Sequence, residues 1–155
     1  MRNKTAAWTA VIGWMVLIFV LSHQPGSVSS GLSSGITEFL IGFADDLLPE
    51  NGDGVEQVHT FVRKNAHFIA YFILGILLVN ALGSWNNLHF RELLIAFAVS
   101  ALYGASDEFH QLFIEGRSGE FRDVLIDSAG AAAGLLVYWT INTVAVGKKM
   151  ENRKN

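Results

Sequence analysis

The chain of 155 residues contains no cysteine, only two prolines and few charges. The missing cysteine excludes disulfides, thiolate metal ligands and a cysteine nucleophile. Charged residues make up 16%, against about a quarter in an ordinary soluble domain, and the formal net charge is only −3. No basic surplus is available to neutralise a phosphate backbone, so nucleic-acid binding is not expected. In place of charge the chain has 51% hydrophobic residues, gathered in long runs. The length fits one domain, and the runs point to a small membrane protein.

The runs cover residues 6–21, 66–82, 93–105 and 124–146. A spanning helix needs roughly 20 apolar residues, with a range of about 17–25. The first, second and fourth runs qualify. The third is short and needs its flanks, Leu88 to Phe90 or Phe109, to complete it. The fold class expected is therefore all-α: a four-helix transmembrane bundle with spans at about 6–22, 64–83, 89–109 and 124–146. The first run follows Arg2 and Lys4, but it is longer than a signal-peptide core and no Ala-x-Ala site follows, so it reads as a retained helix.

Basic residues set the orientation. With four spans, Arg2, Lys4, Arg91, Lys148, Lys149, Arg153 and Lys154 share one side, and Arg63, Lys64, Arg117 and Arg122 the other. Seven against four places both termini in the cytoplasm, with residues 148–155 as a basic tail. Residues 23–62 are then external. Ser27 to Ser34 read as loop, and Ile36, Phe39, Leu40, Phe43, Leu47 and Leu48 recur at helical spacing. They predict a short external amphipathic helix lying on the membrane or capping the bundle.

Polar residues collect at the outer helix ends. Arg63, His67 and Tyr71 are four apart and share a face. Asp107, His110 and Gln111 do the same at i, i+3, i+4, with Glu108 beside them. A turn at 115–119 carries Arg117, and Asp123 and Asp127 follow four apart. Ionisable groups at this depth are costly unless paired or hydrated, and mark a functional pocket by default. The competing reading is a structural ion-pair network. Gly130-x-x-x-Gly134 predicts close approach of another helix.

At these residues the chain resembles the VanZ-like family of small bacterial membrane proteins. The elements are Ser22-His-Gln24-Pro25, Arg63-Lys64-x-Ala66-His67-x-x-x-Tyr71, Leu74-Gly75, Asp107-Glu108-x-His110-Gln111, Gly116-Arg117-x-Gly119 and Asp123-Val124-x-x-Asp127-x-x-Gly130-x-x-x-Gly134. They keep the family's order over roughly Trp14 to Trp139, so residues 1–147 form one VanZ-like membrane domain. Glu115 stands where members often have Pro. The resemblance implies four membrane helices, an envelope role and a link to resistance to the glycopeptide teicoplanin. It names no reaction.

Three functions follow as expectations. An enzyme would use His67, His110, Asp107, Glu108, Asp123 and Asp127 for acid–base catalysis, and Gln24, Arg63, Lys64, Tyr71, Gln111 and Arg117 to hold a lipid-linked envelope precursor or glycan head group. A divalent metal fits the carboxylate and histidine donors. A binding protein would hold an envelope lipid or a membrane-anchored lipoglycopeptide without chemistry. A transporter would need charge along a path to the inner face; it fits least, because the inner halves of the second and fourth spans have none. Membrane lipids are the expected surroundings in every case.

Overall fold

The computed structural model describes residues 3–25, 53–83, 88–117 and 119–152, with side chains placed for most of them. The expected amphipathic helix at 36–48, the loop at 27–34 and Trp85 lie outside the described residues. Within them the chain is all α-helix: α1 (Lys4–Ser22), α2 (Asp53–Leu82), α3 (Phe90–Gln111) and α4 (Phe121–Glu151). Three of these, α1, α2 from Thr60 and α4 up to Gly147, are long and apolar enough to cross a membrane. The 22 residues of α3 reach about 33 Å, but Arg91, Glu92, Asp107 and Glu108 at its two ends lower its apolar content.

Local chemistry sets the helix ends. The Asn3 side chain accepts from the Ala6 amide at 3.3 Å and starts α1, and Pro25 follows its end. The Glu92 carboxylate accepts from the His89 amide at 2.9 Å and starts α3. After α3, tight turns lead to Gly116, whose φ of 72° favours glycine. The second helix runs unbroken from Asp53 through the charged stretch into the apolar run. The fourth continues through the first residues of the predicted basic tail to Glu151.

The helices alternate in direction. Met15 meets Tyr103 and Ser22 meets Gln111, so α1 and α3 run the same way. His67 meets Asp127 and Asn80 meets Tyr138, so α2 and α4 run the opposite way. The C-terminal ends of α1 and α3 thus share one end of the bundle with the polar N-terminal parts of α2 and α4.

The core is apolar, formed by Val11 and Ile18 of α1, Tyr71, Leu74, Leu78 and Val79 of α2, Ala96 of α3, and Leu135 and Tyr138 of α4. The outside is apolar as well: Ile12, Val16, Leu102, Leu136 and Ile141 are exposed. An exposed apolar surface of this extent suits lipid rather than water. Polar handles tie the helices together. The Trp14 indole N–H donates to the Ala70 carbonyl at 2.9 Å, and the Tyr103 hydroxyl to the Met15 carbonyl at 2.6 Å.

The tightest seam joins α2 and α4. A Cβ built on Gly75 would lie 2.8 Å from the Ala131 carbonyl oxygen, and one on Gly130 or Gly134 would strike the carbonyl of Phe68 or Phe72. Glycine at these sites lets backbone meet backbone, as the Gly130-x-x-x-Gly134 spacing predicts.

Candidate functional site

All four helices contribute to the polar end. The C-terminal turn of α3 supplies Asp107, Glu108 and Gln111, all buried. The last residue of α1, Ser22, packs among them. Its hydroxyl donates to Asp107 Oδ2 at 2.9 Å and accepts from Gln111 Nε2 at 3.0 Å. Gln111 Nε2 also lies 3.2 Å from Glu108 Oε1. The other Glu108 oxygen accepts from the backbone N–H of Glu120 at 3.1 Å. Glu120 is the residue just before α4, so a carboxylate of α3 meets the positive end of the α4 dipole.

Arg117 closes the turn. Its Nε donates to the Gln24 carbonyl at 2.9 Å, its Nη2 to the Leu21 carbonyl at 3.2 Å and its Nη1 to Gln111 Oε1 at 3.4 Å. The fork thus satisfies carbonyls at the end of α1, which no helical amide reaches. Burial pulls this guanidinium below its ordinary pKa, and the neighbouring Arg63 cation adds to that pull; it stays charged at neutral pH.

From α2 and α4 come His67 and Asp127. His67 Nδ1 is 3.5 Å from Asp127 Oδ1, and Asp127 has no exposed surface. The charges of Asp107 and Glu108 also reach His67. One turn deeper, Tyr71 is fully buried and its hydroxyl has no hydrogen-bond partner among the described residues. Gly104 makes the space: a Cβ there would lie 3.3 Å from Asp127 Oδ2 and 3.5 Å from the Tyr71 ring. His67, Glu108 and Asp127 each offer one donor atom, all within 4.8 Å of one another, which is a grouping able to hold a metal ion.

Ten of the twelve residues expected from sequence fall into three places. His67, Tyr71, Asp107, Glu108, Gln111, Arg117 and Asp127 line one buried region. Lys64 and Asp123 form an ion pair beside it at 2.9 Å, with Glu120 3.5 Å from the same amine. His110 stands apart: its Nε2 is 3.0 Å from His23 Nδ1, and Phe19 stacks near both rings. Gln24 takes part through its backbone carbonyl, and Arg63 is half-buried. Sequence reasoning did not assign Ser22, His23, Gly104 or Glu120 to the site. For Ser22 and His23 a signal existed, in the Ser22-His-Gln24-Pro25 element. Gly104 and Glu120 act by where they sit, and carry no such mark.

The arrangement is rich in acid. Three carboxylates, from Asp107, Glu108 and Asp127, are buried against one imidazole and a guanidinium already committed to backbone carbonyls. The 3.5 Å approach of His67 Nδ1 to Asp127 is a charge contact longer than a hydrogen bond, and an imidazole beside carboxylates is a group suited to proton transfer.

The model of the family described as VanZ/LLP1 matches residues 7–142, and the chain belongs to that family. No curated protein and no solved structure matches it.

Proposed function

We propose that this VanZ/LLP1 member acts in the bacterial cell envelope, in resistance to glycopeptides such as teicoplanin. Its charged end faces outward, both termini are cytoplasmic, and all four helices span the membrane. The reaction is hydrolysis or group transfer on a lipid-linked or glycan head group. The observation that carries this reading is the 3.5 Å approach of His67 Nδ1 to the fully buried Asp127. Asp127 stabilises the positive charge that His67 gains when Nε2 takes a proton from an attacking water or hydroxyl. The new bond forms to the head group, the bond to the leaving oxygen breaks, and His67 returns the proton to that oxygen. Arg63, half-buried at the same end, supplies positive charge to an anionic head group.

The test is turnover of a lipid-linked diphosphate by purified protein in detergent. His67→Asn removes the proton carrier at similar size, so the rate falls about 10²–10⁴-fold while substrate affinity changes little. Equal rates for variant and wild type refute the assignment.

One observation favours a second reading, capture without chemistry. The Arg117 guanidinium is spent on protein acceptors and Lys64 on Asp123 and Glu120. A pocket so neutralised suits a hydrogen-bonding ligand better than a phosphate. Saturable binding of a lipoglycopeptide with no product, unmoved by His67→Asn, supports this reading over the first.

A further inference from the structure

Among the described residues the buried carboxylates of this site outnumber the cations beside them, and their donors converge. His67 comes from α2, Glu108 from α3 and Asp127 from α4, and their donor atoms lie within 4.8 Å of one another. Taking charge out of water is costly unless it is paired. Here the pairing is incomplete. Asp127 Oδ2, on a side chain with no exposure, has no hydrogen-bond partner among the described residues. Nor has Asp107 Oδ1, on a residue 3% exposed, or the Tyr71 hydroxyl. These unpartnered atoms come from three helices and lie in the region where the three donors meet.

We infer that His67, Glu108 and Asp127 bind one divalent cation of the zinc or manganese kind, with Asp107 and the Tyr71 hydroxyl placed to act on it directly or through a bound water. One imidazole and two carboxylates form a donor set these ions accept, and three protein ligands leave a position for water. An ion about 2.1 Å from each donor holds tetrahedral neighbours about 3.4 Å apart. The His67–Asp127 edge already spans 3.5 Å, and the remaining edges lie within 4.8 Å. The hydrogen bond from the Glu120 amide to Glu108 orients that carboxylate, as outer partners of metal ligands do. An ion here polarises a head-group oxygen or activates water. The inference rests on the hydrolytic reading only for what the ion does: an ion held by His67 takes that imidazole out of proton transfer, so activation of water by the ion replaces the His67 base of that reading.

The experiment is metal binding by the full chain in detergent, stripped with chelator and then titrated with Zn²⁺ or Mn²⁺. The expected result is one equivalent per chain for the wild type. Asp127→Asn and Glu108→Gln should each weaken affinity by at least about 100-fold, beyond the about 10–100-fold typical of outer-shell changes, with helicity by circular dichroism unchanged. Failure of the wild type to bind, or binding undiminished in folded variants, overturns the inference. If the variants do not fold, the wild type decides. Bound Mn²⁺ should show imidazole nitrogen coupling in pulsed electron paramagnetic resonance, and its absence overturns the site. A bound ion without turnover refutes hydrolysis and leaves the site standing. Turnover by a chain that binds no ion does the reverse.

Discussion

The α2–α4 seam makes a quantitative prediction about a single methyl group. In Gly130→Ala the new Cβ would strike the Phe68 carbonyl oxygen, with the Phe68 carbonyl carbon at 3.0 Å and Cα at 3.1 Å. All three atoms are backbone inside a helix, so no rotamer change relieves the contact and the helices must part. Overpacking of this kind costs about 1–3 kcal/mol. Opposing it, alanine is favoured over glycine in a helix interior by about 1 kcal/mol. Gly13→Ala serves as the control, because nothing lies within 4 Å of its Cβ. The control carries the propensity gain alone, so the difference between the two variants isolates the clash at about 1–3 kcal/mol. At roughly 2–4 °C per kcal/mol for a chain of this size, Gly130→Ala should melt several degrees below Gly13→Ala in the same detergent. The clash also reaches the site, since Phe68 follows His67 and Gly130 lies one turn beyond Asp127. Turnover or metal affinity should fall in Gly130→Ala and hold in Gly13→Ala. Equal melting temperatures, or a higher one for Gly130→Ala, would refute the backbone contact.

Two further substitutions probe the polar end. Ser22→Ala removes the donor 2.9 Å from Asp107 Oδ2 and leaves Gln111 at 3.4 Å; leaving a buried acceptor poorly satisfied costs about 1–3 kcal/mol, read from denaturant midpoints, and an unchanged midpoint counts against the contact. Arg117→Lys keeps the charge but cannot reproduce a fork that serves Leu21, Gln24 and Gln111 at once; it should cost about 1.5–3 kcal/mol and increase hydrogen exchange at the end of α1, and wild-type stability would show that charge alone suffices.

Helix content and polar depth were legible in the sequence because both are local. The apolar runs mark all four helices, though the second helix begins at Asp53, well before its run at residue 66, and spacings of four place His67 above Tyr71 and Asp123 above Asp127 at one end. The Gly130-x-x-x-Gly134 seam was legible for the same reason: two small residues one turn apart form a groove in any helix. What could not be read was which groups meet across helices. That depends on rotation and register between elements far apart in the chain. His110 shares a helix face with Asp107 in sequence, yet its imidazole pairs with His23 at the end of α1. Arg117 reads as a phosphate-binding cation and instead clamps backbone carbonyls. Ser22 ends an apolar run and looks incidental until α3 brings Gln111 and Asp107 to it.

The parallel course of α2 and α4 has a consequence for assembly. Parallel neighbours cannot be joined by a tight turn, so the chain must cross back through α3 before their close-packed seam can form. During synthesis α2 therefore enters the membrane with Gly75 and the backbone of Phe68 and Phe72 facing a partner not yet made. His67 waits with them for Asp127. Until the last helix arrives, the bundle has neither its tightest interface nor a complete site. A chain halted after α3 should be recognised as incomplete by the proteases that survey the membrane, since it still shows the groove that α4 is shaped to fill.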